Sequence, residues 1–140
     1  MYRILVGVDG SVQSERAVRF AVDLAARVGD AEIVMLNVQE PVEEWQTHGL
    51  ARDAIHQHRE MLARDATTKA RAMVEQAGIS CRFDWSFGQP AQTIADQARI
   101  QNCAVIVMGT HGKGAIESLF LGSVAYKMLH LSTVPVTLVK

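Results

Sequence analysis

Four glycines and a serine in "GTHGKGAIESLFLGS", residues 109 to 123, are the part of this sequence best suited to chemistry. Glycine permits positive φ and lacks the Cβ that would keep a ligand from the main chain. Successive backbone N–H groups in such a turn form a concavity that prefers anions. Gly122 and Ser123 fall where the pattern starts a helix. The unpaired N–H groups and positive dipole end there attract phosphate, and the serine hydroxyl adds a donor. Hydrogen bonds to a charged partner contribute about 1.5–3 kcal/mol each. Three or four, after the costs of binding, reach the roughly −8 kcal/mol of a micromolar site. Such a site holds a phosphorylated ligand without being an enzyme. Any one of these glycines also suits a plain loop, and Ser123 suits a plain N-cap; the joint spacing is what points to phosphate.

Several familiar phosphate loops do not fit. A P-loop needs Lys and a hydroxyl residue after its last glycine, where "GTHGKG" is followed by Ala115-Ile116. The dinucleotide fingerprint belongs after the first strand, and "GKGAIE" puts Glu117 at its third glycine. A receiver-like aspartate cluster is missing, since strand one ends in one acidic residue and strand three ends in "SFG". Neither a serine-glycine-glycine loop nor an HxGH motif of adenylyl-transfer folds occurs.

Alternating elements must position the glycine segment. "RILVGV" (3–8), "EIVMLNV" (32–38), "CAVIVMG" (103–109) and "VPVTLV" (134–139) are near-continuous apolar runs, as parallel strands buried on both faces require. "SCRFDWSF" (80–87) alternates instead, with Cys81, Phe83, Trp85 and Phe87 on one face, which suits a sheet edge. Helical spacing over 14–29 places Ala17, Ala21, Leu24 and Val28 on one stripe, ending at Gly29. A second helix, from about Asp53 to Ala77, repeats Ile55, Leu62, Ala66, Met73 and Ala77. A third opens at Pro90, and a last one starts near Ser123 and buries Val124, Met128 and Leu131. The βαβαβαβαβ order predicts an open five-stranded parallel α/β sheet with helices on both faces. In such sheets ligands bind beyond the carboxyl ends of the strands. That directs attention to "VDGS", "NVQE" and the glycine segment.

The spacing G-x2-G-x9-G-S, formed by Gly109, Gly112, Gly122 and Ser123, joins "ILVGVDGS" at the front and "GQPAQTIADQA" before strand four. Together they resemble the universal stress protein family, in its ATP-binding subclass, over the whole chain. The resemblance implies strand order 3-2-1-4-5, a fold like that of the adenine-nucleotide alpha-hydrolases, and one domain over residues 1–140. It implies that Asp9 binds the ribose hydroxyls, with Gly7 and Val8 beside it, and that the Val38 backbone meets adenine. Met108 would pack near ribose and base, and Gly109 would touch the ribose or first phosphate. Gly112, Gly122, Ser123 and Val124 would cradle the phosphates of ATP, with Mg²⁺ bridging them. The function implied is that of a nucleotide-dependent regulator or interaction module in stress response. The alternatives are a slow ATPase or phosphotransferase, and an interaction protein that never uses nucleotide. Taken alone, "DGS" is also ordinary turn chemistry, and Val38 and Met108 are also ordinary core positions.

Other residues carry less. His111 lies within the glycine loop as a candidate base, with a solvated loop histidine as the plain reading; Lys113 could neutralise phosphate or simply be solvated. His48, His56 and His58 suggest a metal cluster on paper, yet residues two apart on a helix do not share a face. No metal ligand set is expected. Trp45, in the long stretch 39–52, could cover a base or plug a surface.

The chain has 140 residues, 49% hydrophobic and 21% charged, with net charge −1. A chain of this size buries about 68–70% of its unfolded surface. The balance offers no field to collect nucleic acid or an anionic membrane. No signal peptide or membrane span is expected, and two cysteines, Cys81 and Cys103, suit a reduced cytoplasmic setting. The terminal "VPVTLVK", as a last strand with a free edge, invites a second copy, and the resemblance implies a homodimer formed there.

Overall fold

A computed structural model describes residues 1–41, 51–112 and 120–140. The elements run β1 (Tyr2–Gly7), α1 (Val12–Val28), β2 (Ala31–Gln39), α2 (Arg52–Gln76), β3 (Ser80–Phe87), α3 (Pro90–Ile100), β4 (Val105–Gly109), α4 (Ser123–Leu131) and β5 (Val136–Val139). The strands form one sheet in the order β3-β2-β1-β4-β5, every pairing parallel. This is the α/β architecture expected, with the expected strand order. Trp45, His48, Lys113 and Gly114 lie outside the described residues.

Strand side chains alternate between two cores. Ile4, Val6, Val8, Ile33, Met35, Val105 and Val107 pack under α1 and α2. Leu5, Val34, Leu36, Ile106 and Met108 pack under α3 and α4. Burial on both faces is why β1, β2 and β4 read as continuous apolar runs. The alternating strand, β3, is an edge as predicted. Its Phe83 ring is faced by the Arg64 and Arg71 guanidinium groups, 6.0 and 5.3 Å from the centroid.

The helix faces match expectation only in part. In α1 the buried row is Ala17, Val18, Ala21 and Ala25, while Leu24 is half-buried and Val28 is 42% exposed. In α2 the buried row is Ala63, Thr67, Ala70 and Val74; Leu62 and Ala77 are exposed, and Ile55, Ala66 and Met73 are half-buried. Small side chains let these helices sit close to the sheet and to each other, so the larger apolar groups fall at the flanks of the contact. Thr67 can be buried because its hydroxyl donates to Ala63 O at 2.8 Å. In α4, Met128 is buried as expected and Ala125 joins it, while Val124 is half-buried and Leu131 is 40% exposed, because this short helix packs against α3 and β5 at the sheet margin.

The strand order has one consequence for function. From β1 the chain moves outward to β2 and β3, then returns to β4 on the other side of β1. The connections after β1 and β4 therefore diverge from adjacent strands, which opens a crevice at their carboxyl ends.

Candidate functional site

The connection after β1 is built by local hydrogen bonds. Asp9 Oδ1 accepts from Ser11 N at 2.9 Å, and Gly10 turns the chain at φ 84°. Ser11 then caps α1, its hydroxyl accepting from Ser14 N at 3.1 Å. On the β4 side, a Cβ on Gly109 would lie 2.8 Å from Gln13 Cβ and 3.2 Å from the Gln13 carbonyl carbon. The first turn of α1 thus closes directly on the end of β4, and only glycine leaves room for it.

The two glycine segments after β4 pack on each other. Gly122 N donates to Thr110 O at 2.7 Å, and Thr110 N donates to Val139 O at 3.1 Å. A Cβ on Gly122 would lie 3.1 Å from His111 Cα, and one on Gly112 would lie 3.0 Å from Asp9 Oδ2. The glycine spacing thereby brings a bare turn, a helix start and a carboxylate together.

Gly122 is the N-cap of α4, and among the described residues no side chain caps it. The first intrahelical donor is Tyr126 N, to Gly122 O at 3.0 Å. The N–H groups of Ser123, Val124 and Ala125 precede it and have no intrahelical partner. Ser123 is the first helical residue rather than the cap, so the plain N-cap reading of its hydroxyl does not hold.

These parts enclose a cavity of about 440 Å³, within the range of about 300–1,000 Å³ typical of ligand pockets. Gly7, Val8, Asp9, Val38, Met108, Gly109, Gly112, Gly122, Ser123 and Val124 all line it. Leu36, Pro90 and Ile94 complete an apolar slot with Val38 and Met108.

The chain matches the universal stress protein family over residues 1–140. It belongs to that family. It is 32% identical over 143 residues to a universal stress protein of Mycolicibacterium smegmatis, covering 99% of this chain and 48% of that protein. The chain thus spans about half the length of that relative. With a universal stress protein from Thermus aquaticus it shares 33% identity over 139 residues, covering 98% of this chain and 97% of the relative. Among solved structures, the protein MJ0577 superimposes with a TM-score of 0.80 at 24% identity, over 99% of this chain and 95% of that one. A universal stress protein in complex with cAMP superimposes with a TM-score of 0.71 at 25% identity, over 99% and 97%.

Within this family member, the pattern of apolar runs did not single out Asn37. It is buried at the end of β2 and donates from Nδ2 to Val8 O at 2.8 Å. Gln39 Nε2 donates to Asn37 Oδ1 at 3.1 Å and to Arg59 O at 2.8 Å, which ties α2 to the strand end beside Asp9. The signal available was one amide inside "EIVMLNV".

The electrostatics are unusual for an anion site. Asp9 and Glu40 both line the cavity, and the described lining contains no lysine or arginine. His111 also lines it, with Nδ1 3.0 Å from Thr110 Oγ1. His56 packs its ring on Trp85 at 5.1 Å instead of joining a ligand set. Among the described residues no group of three or more His, Cys, Asp or Glu could hold a metal ion. No helix among them is long and apolar enough to cross a membrane. The Cys103 thiol, in the α3–α4 core, is pushed above its ordinary range by burial; the Cys81 thiol is raised by burial and then by Glu75.

Proposed function

We propose that this chain binds ATP and acts as a nucleotide-dependent regulator or interaction module in stress response. The observation that carries this reading is the meeting of an apolar slot, a carboxylate and a helix start whose N-cap is a glycine in one cavity. The chemistry of these groups fits a nucleotide. Leu36, Val38, Ile94 and Met108 offer a slot for a base, with backbone groups at Val38 to read its edge. Asp9 beside Gly7 and Val8 accepts from ribose hydroxyls. Gly109 leaves the main chain open near the sugar and first phosphate. Gly112, Gly122, Ser123 and Val124 present amides to phosphates. That a relative of this fold is in complex with cAMP supports the base and ribose assignments.

Bound ATP would bring a polyanion toward Asp9 and Glu40, so Mg²⁺ bridging its phosphates is part of the proposal. Residues 1–140 would act as one domain in the cytoplasm. The free edge of β5 would pair with a second copy to form a homodimer.

Calorimetry of the purified chain with ATP, AMP and GTP tests the proposal. Micromolar binding of ATP that GTP does not match is expected, and absence of adenine-nucleotide binding would overturn it. A slow ATPase is the second reading, favoured by His111 on the cavity wall. Single-turnover hydrolysis of labelled ATP that disappears in His111→Ala would establish it.

A further inference from the structure

β2 runs on past the end of β1. Its register with β1 stops at Gly7 opposite Leu36, whereas its register with β3 continues to Gln39 opposite Phe87. Val8 N donates to Leu36 O at 2.9 Å, and Gly88 N donates to Gln39 O at 3.0 Å. Leu36 therefore turns its main-chain groups toward β1, and Gln39 turns its own toward β3. These directions alternate along a strand, so Val38 presents both its N–H and its C=O on the β1 side. That side is the crevice, and Val38 lines the cavity there.

One more rung of a parallel ladder would join Val38 N to Val8 O and Gly10 N to Val38 O. Among the described residues neither bond forms. Gly10 turns the chain away at φ 84°, and the Val8 carbonyl instead accepts from Asn37 Nδ2 at 2.8 Å. Asn37 is buried, and its Oδ1 accepts from Gln39 Nε2 at 3.1 Å, which fixes the amide with its donor toward Val8. The side chain thus makes the bond that the next main-chain N–H would make.

We infer that Asn37 is a positioning residue: by occupying the Val8 carbonyl it keeps the Val38 N–H free to read the base. This rests on the adenine-nucleotide reading of the cavity. The donor and acceptor of Val38 match adenine, whose ring N1 accepts and whose 6-amino group donates. They mismatch guanine, whose N1–H donates and whose O6 accepts. Without the Asn37 donor, the Val8 carbonyl competes with the ligand for the Val38 N–H, and the base loses that bond. A site built on a hydrogen bond discriminates against the analogue that lacks it. Base selectivity is therefore what Asn37 contributes.

The test measures the Kd of AMP and of 1-deaza-AMP, which lacks the N1 acceptor, for the full chain and for Asn37→Leu. The unaltered chain is expected to prefer AMP about fivefold, as one neutral hydrogen bond implies. In Asn37→Leu, AMP weakens and the two ligands bind alike. A side chain that only supports the fold would weaken both ligands equally; a preference left intact in this way would overturn the role of Asn37 while leaving the cavity standing. Asn37→Ala removes the same donor without added bulk and gives the same comparison where the leucine variant fails to fold. Solvent exchange of the Val38 amide hydrogen needs neither variant nor ligand. It is expected to be fast in the free chain, and protection there would overturn the proposal. Equal affinities of the unaltered chain for the two ligands would overturn it together with the Val38 reading. Failure to bind either ligand would remove the adenine-nucleotide reading as well.

Discussion

Gly112 lies against the carboxylate of Asp9: a Cβ on the glycine would come within 3.0 Å of Asp9 Oδ2. The two residues follow β1 and β4, neighbours in the sheet but far apart in sequence. One turn thus supplies bare backbone, and the other supplies the acceptor beneath it.

This closeness makes Gly112→Ala a probe of the carboxylate's position. The added methyl has to displace the Asp9 carboxyl group or the turn. Affinity for AMP and ATP is expected to fall together, by about tenfold, the cost of one misplaced charge-assisted hydrogen bond. Thermal unfolding would move little, since neither residue belongs to a core cluster. Calorimetry beside a melting curve checks both; unchanged affinity would detach Asp9 from the ligand.

Gly109→Ala behaves differently. Its new Cβ meets Gln13 Cβ at 2.8 Å and Gln13 backbone at 3.2 Å, and main chain cannot swing aside as a flexible side chain can. Overpacking of this kind costs about 1–3 kcal/mol. Denaturant unfolding should show this loss without any ligand present, and full stability would contradict the close approach of α1 to β4.

The elements were largely legible in the sequence, and the helix faces only in part. Val, Ile and Leu runs locate β1, β2 and β4 because burial on both faces leaves few places for polar residues. Pro90 marks the start of α3, and Ser123 that of α4. In α1 the stripe found Ala17 and Ala21 but ran on to Leu24 and Val28 in place of Val18 and Ala25, and in α2 it passed over Ala63, Thr67 and Ala70, because large apolar residues beside the contact drew it off the small ones that make it. All ten site residues named from the family resemblance line one cavity. Pro90, Ile94 and Glu40 could not be added from sequence, since they reach the cavity only through the packing of α3 and the course of the chain after β2. The role of Asn37 depends on a hydrogen bond to Val8, in the connection that leaves the neighbouring strand β1, which no spacing rule encodes.

Asn37→Leu tests that bond. It leaves the Val8 carbonyl without its side-chain donor and Gln39 with only the Arg59 carbonyl as acceptor. A buried polar group deprived of its partner costs about 1–3 kcal/mol. The variant is expected to unfold at lower denaturant concentration and to bind nucleotide more weakly; a stable variant with normal affinity would show that Val8 is held by other means.

Stability should also report the two thiols. Their folded pKa values are raised, so the folded chain holds these protons more tightly than the unfolded chain. Their contribution is complete below the ordinary thiol pKa and is lost as pH rises through it toward the raised values. Unfolding free energy is therefore expected to fall with alkaline pH in a component that Cys81→Ser with Cys103→Ala removes. An identical alkaline slope in the double variant would exclude the thiols as its source.

The central claim is that amides at the start of α4, beside the turn carrying Gly112, hold phosphate. Backbone amide chemical shifts, followed as the chain is titrated with adenosine and then with AMP, test this most directly. With AMP, the amides of Gly112, Ser123 and Val124 are expected to move strongly downfield, while adenosine perturbs mainly residues around Val38 and Met108. The same shifts with both ligands, or AMP-dependent shifts confined to other parts of the chain, would contradict it.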